Sequence, residues 1–401
     1  MIAGALSSPF GEPDFRRLWL VGLLMFAVRW LEILAVAVFA YRRTSSPFVV
    51  AMLTMLRLLP MALLGAVVGA AAERLERRTA LVLVVFSMLL TSLVLALLAW
   101  TDRLLVWHLA VASFVNGIAW TTDNPIRRTM MGEVVGPGRM SAAMSLDVGA
   151  NNASRMLGPT VGGMLLATVG ITGAFVVGIA GYLIALIAST GVRHKDAAIA
   201  SRSATVLEGV IEGVGVVRRN PRLIGTLVIT VIYNTLGWPF TSMIPVIGQD
   251  NLHLGAAGIG TLASMDGVGA FCGAILIAFY ASPPLFPRLY VGGVLVYLLM
   301  LPLFAVAASP LFAGFVLVVT GFANAGFSIM QATLVYSLAP PEMRSRVFGV
   351  LSVCIGIGML GFIHLGLLAG AMGASWATAT IGVEGLVALW LTRRWWRVLL
   401  A

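Results

Sequence analysis

Charge is what this sequence has least of. Only 10% of its 401 residues are Asp, Glu, Lys or Arg, against 60% hydrophobic, whereas a soluble domain carries roughly a quarter charged residues. The shortage excludes a soluble surface and implies one that faces lipid. Cysteine is scarce as well: Cys272 and Cys354 lie far apart in apolar runs, without metal or redox spacing, and both are expected in helix packing. No Gly-x-x-x-x-Gly-Lys-Ser/Thr loop occurs, which removes ATP as a direct energy source. No apolar run alternates as membrane β-strands do. Residues Met1 to Arg17 hold charges and no short apolar stretch ending in a cleavage site, so the first apolar run is expected to serve as the insertion signal.

Long apolar runs are what the chain has instead. They cover 18–41, 47–71, 79–100, 104–123, 140–168, 171–190, 223–247, 257–280, 288–307, 310–337, 347–371 and 375–391, each long enough to cross a ~30 Å hydrocarbon core as a helix. The expected fold is therefore an all-α polytopic membrane protein of twelve transmembrane helices. Basic residues in short loops stay on the cytoplasmic side, and their positions orient the chain. With the N-terminus inside, 20 of the 26 basic residues fall in cytoplasmic segments, Arg127, Arg128, Arg288, Arg344 and Arg346 among them. Only Arg42, Arg43 and Arg103 fall outside, and Arg29, Arg57 and Arg155 stay within the membrane. The net charge of +10 thus reads as topology rather than as nucleic-acid binding. The expected location is the inner (cytoplasmic) membrane, multi-pass, with both termini cytoplasmic.

One charged stretch interrupts the rhythm and divides the chain into an N-terminal bundle (1–192), a cytoplasmic linker (193–222) and a C-terminal bundle (223–401). Within the linker, Val206, Leu207, Val210, Ile211, Val214 and Val217 oppose Glu208 and Glu212, the pattern of an amphipathic helix at the membrane surface. A shift of 204 residues superposes Pro137 on Pro341, Ser141 on Ser345, Gly162 on Gly366, Gly178 on Gly382 and Gly181 on Gly385. The chain therefore reads as a duplication of six helices, with a substrate site expected between the halves near the bilayer midplane.

The loop Gly69-Ala-Ala-Ala-Glu73-Arg74-Leu75-Glu76-Arg77-Arg78 resembles the signature loop of the major facilitator superfamily, with Glu73 where an aspartate is usual and Glu76 where a glycine is. Asp123-Asn124-Pro125-Ile126-Arg127-Arg128, Gly132-Glu133, Ser145-Leu146-Asp147, Asn152, Arg155 and Gly158-Pro159-Thr-Val-Gly162-Gly163 are similar to the branch holding enterobactin exporters and drug:proton antiporters of the third group. The resemblance covers essentially the whole chain. It implies two pseudo-symmetric six-helix bundles and a cavity lined by helices 1, 2, 4, 5, 7, 8, 10 and 11. It also implies a conformational latch at the cytoplasmic face from Glu73, Arg77, Arg78 and Asp123. The arginine usual on helix 4, near Ser113, is absent, and Ser145 and Ser154 replace glycines of the antiporter motif.

Ionisable groups inside the hydrocarbon are functional candidates by default, because each costs several kcal/mol unless paired or hydrated. Arg29, Glu32, Arg57, Asp147, Arg155, Asp266, His364 and Glu384 qualify. Glu32 and Arg57 lie at similar depth with Arg29 one turn from Glu32, so Glu32 is a proton-coupling candidate with Arg29 and Arg57 as charge partners; a permanent ion pair is the alternative. Asp266, in a glycine-rich run, is the second proton candidate. Asp147, Asn151 and Arg155 recur every four residues, one stripe of a helix. Asn151, Arg155, Asn116, Trp120, Asn234, Trp238, Asn324, Gln331 and His364 are candidate cavity walls, since aromatics mixed with amides hold amphipathic ligands.

These features lead to a secondary active transporter, a proton-coupled exporter of a small amphipathic molecule (drug-like compound, siderophore or lysolipid) working by alternating access. The alternatives are proton-coupled uptake of an organic anion and a non-transporting sensor or assembly factor with the same fold. An enzyme is not expected, because no catalytic or metal-ligand cluster converges at one depth. Expected partners are the small-molecule substrate, protons and membrane lipid, with no cofactor, no metal, no nucleic acid, and a monomeric state.

Overall fold

The computed structural model describes residues 9–74, 76–136, 139–193 and 206–400, apart from the side chains of 63–74, 141, 206–211 and 345. Among these residues the regular structure is helical throughout, with no strand. Six long helices come first: α1 (Pro13–Thr44), α2 (Pro47–Arg74), α3 (Arg77–Trp100), α4 (Val106–Val135), α5 (Met140–Thr168) and α6 (Gly170–Thr190). The linker helix α7 (Val206–Arg219) follows. Helix α8 (Pro221–Ile232) runs through a π turn (Tyr233–Gly237) and a 3-10 stretch (Trp238–Met243) into α9 (Ile244–Asp250), and together these form the seventh crossing. Then come α10 (Ala256–Tyr280), α11 (Phe286–Ala305), α12 (Pro310–Leu338), the pair α13 (Arg344–Gly356) and α14 (Gly358–Met372), α15 (Ala374–Leu391) and the short α16 (Arg393–Trp396). Counting α13 and α14 as one crossing gives the twelve expected.

Local chemistry sets the ends and breaks. Asn220 caps α8 by accepting from the backbone N–H groups of Arg222 and Leu223, with Pro221 in the first turn. Ser309 does the same for α12 ahead of Pro310. Gly136 and Gly373, with φ of 75° and 85°, end α4 and α14 in a conformation that glycine alone adopts without strain. The seventh crossing changes character where Pro239 removes an N–H from the ladder. A π turn just before it lets the chain bypass the missing bond.

The chain forms two compact units. The first holds Met1–Arg43, Leu56–Ser201 and Ala256–Thr261, the second Thr44–Met55, Arg202–Gly255 and Leu262–Ala401. In the first unit Phe15, Leu18, Val21, Met25 and Val28 recur every third or fourth residue down α1 and are buried against Val85 and Met88 of α3 and Tyr182 and Ala185 of α6. The opposite face of α3 is apolar too: Leu83, Phe86, Leu90, Leu93 and Leu97 are about half exposed. An apolar band of that kind is tolerated only in lipid. Nine helical segments among the described residues are long and apolar enough to span a membrane; α4 and α5 are not among them.

Three expectations change. Helix α4 runs to Val135 instead of ending at 123, so Asp123, Arg127 and Arg128 stand inside a helix rather than in a cytoplasmic loop. Cys272 is exposed instead of packed, and Cys354 is half-buried. Helix α7 packs on the second unit in addition to being amphipathic. Its Gly213 has no room for a side chain against the backbone of Arg346, its Glu212 pairs with Arg346, and Val217 is buried in a cluster with Val347 and Val350.

Candidate functional site

The polar groups of the first unit form three adjoining sets, all built on α1. The first surrounds Glu32, which is buried and accepts hydrogen bonds from the Ser92 hydroxyl of α3 (2.6 Å) and the Tyr182 hydroxyl of α6 (3.3 Å). Gly178 of α6 makes this possible, because a Cβ there would press on both the carboxylate of Glu32 and the Ser92 hydroxyl. The expected charge partners do not bind Glu32 directly. Arg57 and Arg29 are within coulombic range of it, but among the described residues neither forms an ion pair with it. The reason is rotational: residue 32 points from α1 toward α3 and α6, while Arg29, three residues earlier, points toward Trp120 and Asp123 of α4. Arg57 is buried with its Nε lacking a hydrogen-bond partner among the described residues, as is the Oδ1 of Asn116. The α2 backbone at Arg57 rests directly on Gly117 of α4.

The second set centres on Arg127, whose side chain is fully buried. It pairs with Asp123 one turn earlier (3.2 Å) and with Asp147 of α5, and lies over the Phe26 ring of α1 at 5.0 Å. Asp147 also accepts from Arg128 at 2.8 Å, and Arg29 stands 4.0 Å from the other oxygen of Asp123. Gly22 of α1 leaves the space the Arg127 guanidinium occupies. Two carboxylates and two arginines thus neutralise each other around Arg127, with Arg29 at the edge, as buried charges must.

The third set is the α5 stripe. Asn151 accepts from the Trp30 indole N–H at 3.2 Å, Arg155 lies 5.6 Å from the Trp30 ring, and Gly158 and Gly162 let α5 close onto Trp30 and Leu31. The stripe faces α1.

Three of the four expected latch residues have described side chains. Asp123 is engaged by Arg127 and Arg29, Arg77 pairs with Glu133, and Arg78 donates to the carbonyl of Thr190 (2.7 Å). The side chain of Glu73 lies outside the described residues. The extension of α4 to Val135 places Asp123 about three turns before the end of the helix.

In the second unit, Tyr233 donates to Asn324 (2.7 Å) and stacks on Phe327 at 3.7 Å. Gln331 donates to Thr230 (3.0 Å), and the Thr230 hydroxyl meets that of Tyr290 (2.9 Å). Asn234 donates to the carbonyl of Thr230 (2.8 Å), and Trp238 meets Phe362 edge-on at 5.8 Å. Asn324 and Gln331 are therefore interior cross-ties, spaced for a helix face as the sequence indicated but held by Tyr233 and Thr230, which it did not flag. Asp266 is buried, and Gly321 of α12 closes onto its carbonyl. His364 bonds Glu384 of α15 at 2.8 Å, both side chains about 40% exposed, on a face shared with exposed Leu360 and Leu367.

The family model of the Major Facilitator Superfamily matches residues 18–363. The chain belongs to the major facilitator superfamily. Similar curated proteins are macrolide efflux protein A of Streptococcus pyogenes, 21% identical with 85% of this chain and 86% of that protein covered, and the multidrug efflux pump Tap of Mycolicibacterium fortuitum, 25% identical with 93% and 92% covered. Among solved structures, the nucleoside transporter NupG superposes with a TM-score of 0.78 at 12% identity, covering 97% of this chain and all of that one. A bacterial homologue of the lysosomal transporter Spinster gives 0.71 at 15%, covering 96% and 97%. This major facilitator protein is a multi-pass membrane transporter with efflux pumps among its relatives.

Proposed function

We propose that this transporter is a proton-coupled exporter of small amphipathic molecules, in which Glu32 is the carboxyl that takes and releases the proton. The observation that carries this reading is the company Glu32 keeps. Asp123 and Asp147 are held by guanidinium groups, an arrangement that fixes structure. Glu32 is held by two hydroxyls, and a hydroxyl can donate to an ionised carboxylate or accept from a protonated one, so the pocket fits both forms. Arg57, with an unused N–H nearby, supplies a charge that responds to the change. Asp266 is kept as the second proton candidate. The cargo class follows from the efflux relatives, which are named for macrolides and for multiple drugs. Location in the inner membrane with both termini cytoplasmic, function as a monomer, and alternating access complete the proposal.

The test is macrolide accumulation in inverted vesicles containing the purified protein, with and without an imposed proton gradient. Wild type should accumulate the drug only with the gradient, and Glu32→Gln, which keeps the shape and one hydrogen bond, should lose at least tenfold in gradient-dependent rate. Asp266→Asn separates the two candidates. Gradient dependence that survives in both variants would remove the proton role from these positions, and drug binding without transport under any gradient would turn the reading toward a sensor.

A further inference from the structure

The second unit carries an apolar groove that no part of the transport reading uses. Helices α10 and α12 are in backbone contact where Gly269 and Gly273 of α10 meet Val318, Phe322 and Ala325 of α12. Helices α11 and α12 are in similar contact where Gly293 meets Ala323 and Phe327, and Gly326 meets Leu289. Beyond Gly273 no further glycine holds α10 against α12, and a cavity of about 340 Å³ opens between the three helices. Leu276 and Tyr280 of α10, Leu289 and Gly292 of α11, and Phe322 of α12 form its walls. Leu276, Tyr280 and Phe322 are between 43% and 75% exposed, so the groove opens outward, toward hydrocarbon.

Its one cation is Arg288, in the first turn of α11 at the mouth. Arg288 is exposed and forms no ion pair among the described residues. Tyr280, at the last turn of α10, gives the same level an interfacial aromatic. From Arg288 to Val296 the groove follows α11 for two turns, ~12 Å at 1.5 Å per residue. An open position in its floor is Gly292, where an added Cβ would meet no atom within 4 Å.

We infer that this groove binds one anionic phospholipid from the leaflet at the basic ends of the helices, its phosphate on Arg288 and an acyl chain along Leu289, Gly292 and Phe322. Charge complementarity at the mouth and carbon along the walls fit that amphiphile in that orientation. A zwitterionic lipid fits the walls without gaining as much from the arginine.

The test is native mass spectrometry of the purified protein released from micelles containing equal phosphatidylglycerol and phosphatidylcholine. Wild type should retain one phosphatidylglycerol in preference. Arg288→Gln should lower that preference about fivefold, the effect of one basic residue at an anionic surface, while Arg288→Lys retains it. Gly292→Leu, which fills the groove, should reduce retention of both lipids. Equal retention by wild type, Arg288→Gln and Gly292→Leu would overturn the inference. So would a macrolide that binds wild type in place of lipid and is lost in Gly292→Leu, since the groove would then belong to cargo. Arg288→Gln changes only an exposed side chain, so its result stands if Gly292→Leu fails to fold.

Discussion

At the scale of single residues, Arg127 and Glu32 show how differently buried charge can be handled. Arg127 has two carboxylates beside it, and removing it leaves both facing low-dielectric surroundings with only Arg128 and the more distant Arg29 to compensate. Arg127→Ala is therefore expected to destabilise the protein by about 3–5 kcal/mol, read as a lowered midpoint in thermal unfolding of the detergent-solubilised protein. The double variant with Asp147→Asn should recover part of the loss, because one of the two orphaned carboxylates is gone. Glu32→Gln should barely move that midpoint while abolishing the gradient dependence of transport, and the contrast distinguishes a structural charge from a working one. The sequence made Glu32 conspicuous, as an acid within an apolar run. It hid the partners: Ser92 and Tyr182 are uncharged and pass as ordinary members of apolar helices. Arg127 was misplaced for a different reason. The apolar run stops at residue 123, and only the four-residue spacing of Asp123 and Arg127 hinted that the helix continues.

At the scale of elements, glycine decides which helices touch. Gly269 and Gly321 each sit so close to a carbonyl of the facing helix, Val318 and Asp266 respectively, that a Cβ cannot fit without movement. Gly269→Ala should push α10 and α12 apart at a cost of about 1–3 kcal/mol, again visible as a lower unfolding midpoint, whereas Gly292→Ala, in open space, should leave the midpoint unchanged. The glycine-rich run from Gly258 to Gly273 was legible as a site of close approach, and the twelve crossings were legible from length and hydropathy alone. The partners of each glycine were not, because contact between helices depends on rotation about their axes, which a pattern along one chain leaves open. The π turn in the seventh crossing is a similar case: Pro239 announced an interruption without saying which side of it would widen.

At the scale of the whole molecule, the proposed orientation is open to direct test. With Cys272 and Cys354 replaced by alanine, Arg103→Cys in the α3–α4 connection should react with a membrane-impermeant maleimide in intact cells. Glu342→Cys, between α12 and α13, should react only after permeabilisation, and the reverse pattern would invert the topology. The duplication seen as a 204-residue repeat matches six crossings on each side of α7, although the compact units also trade short pieces, Thr44–Met55 and Ala256–Thr261, that no repeat could reveal. Helices α4 and α5 carry a further implication, for biogenesis. Both are long enough to cross, but neither is as apolar as the nine segments that are apolar enough to span a membrane, so each gains less from entering the bilayer by itself. Their ion pairs form within and between the two helices, Arg127 with Asp123 and Asp147 and Arg128 with Asp147, while Phe26 and Trp30 of α1 lie against Arg127 and Arg155. Because α1 precedes both in the chain, the aromatic face that lies against these arginines is already synthesised when α4 and α5 follow.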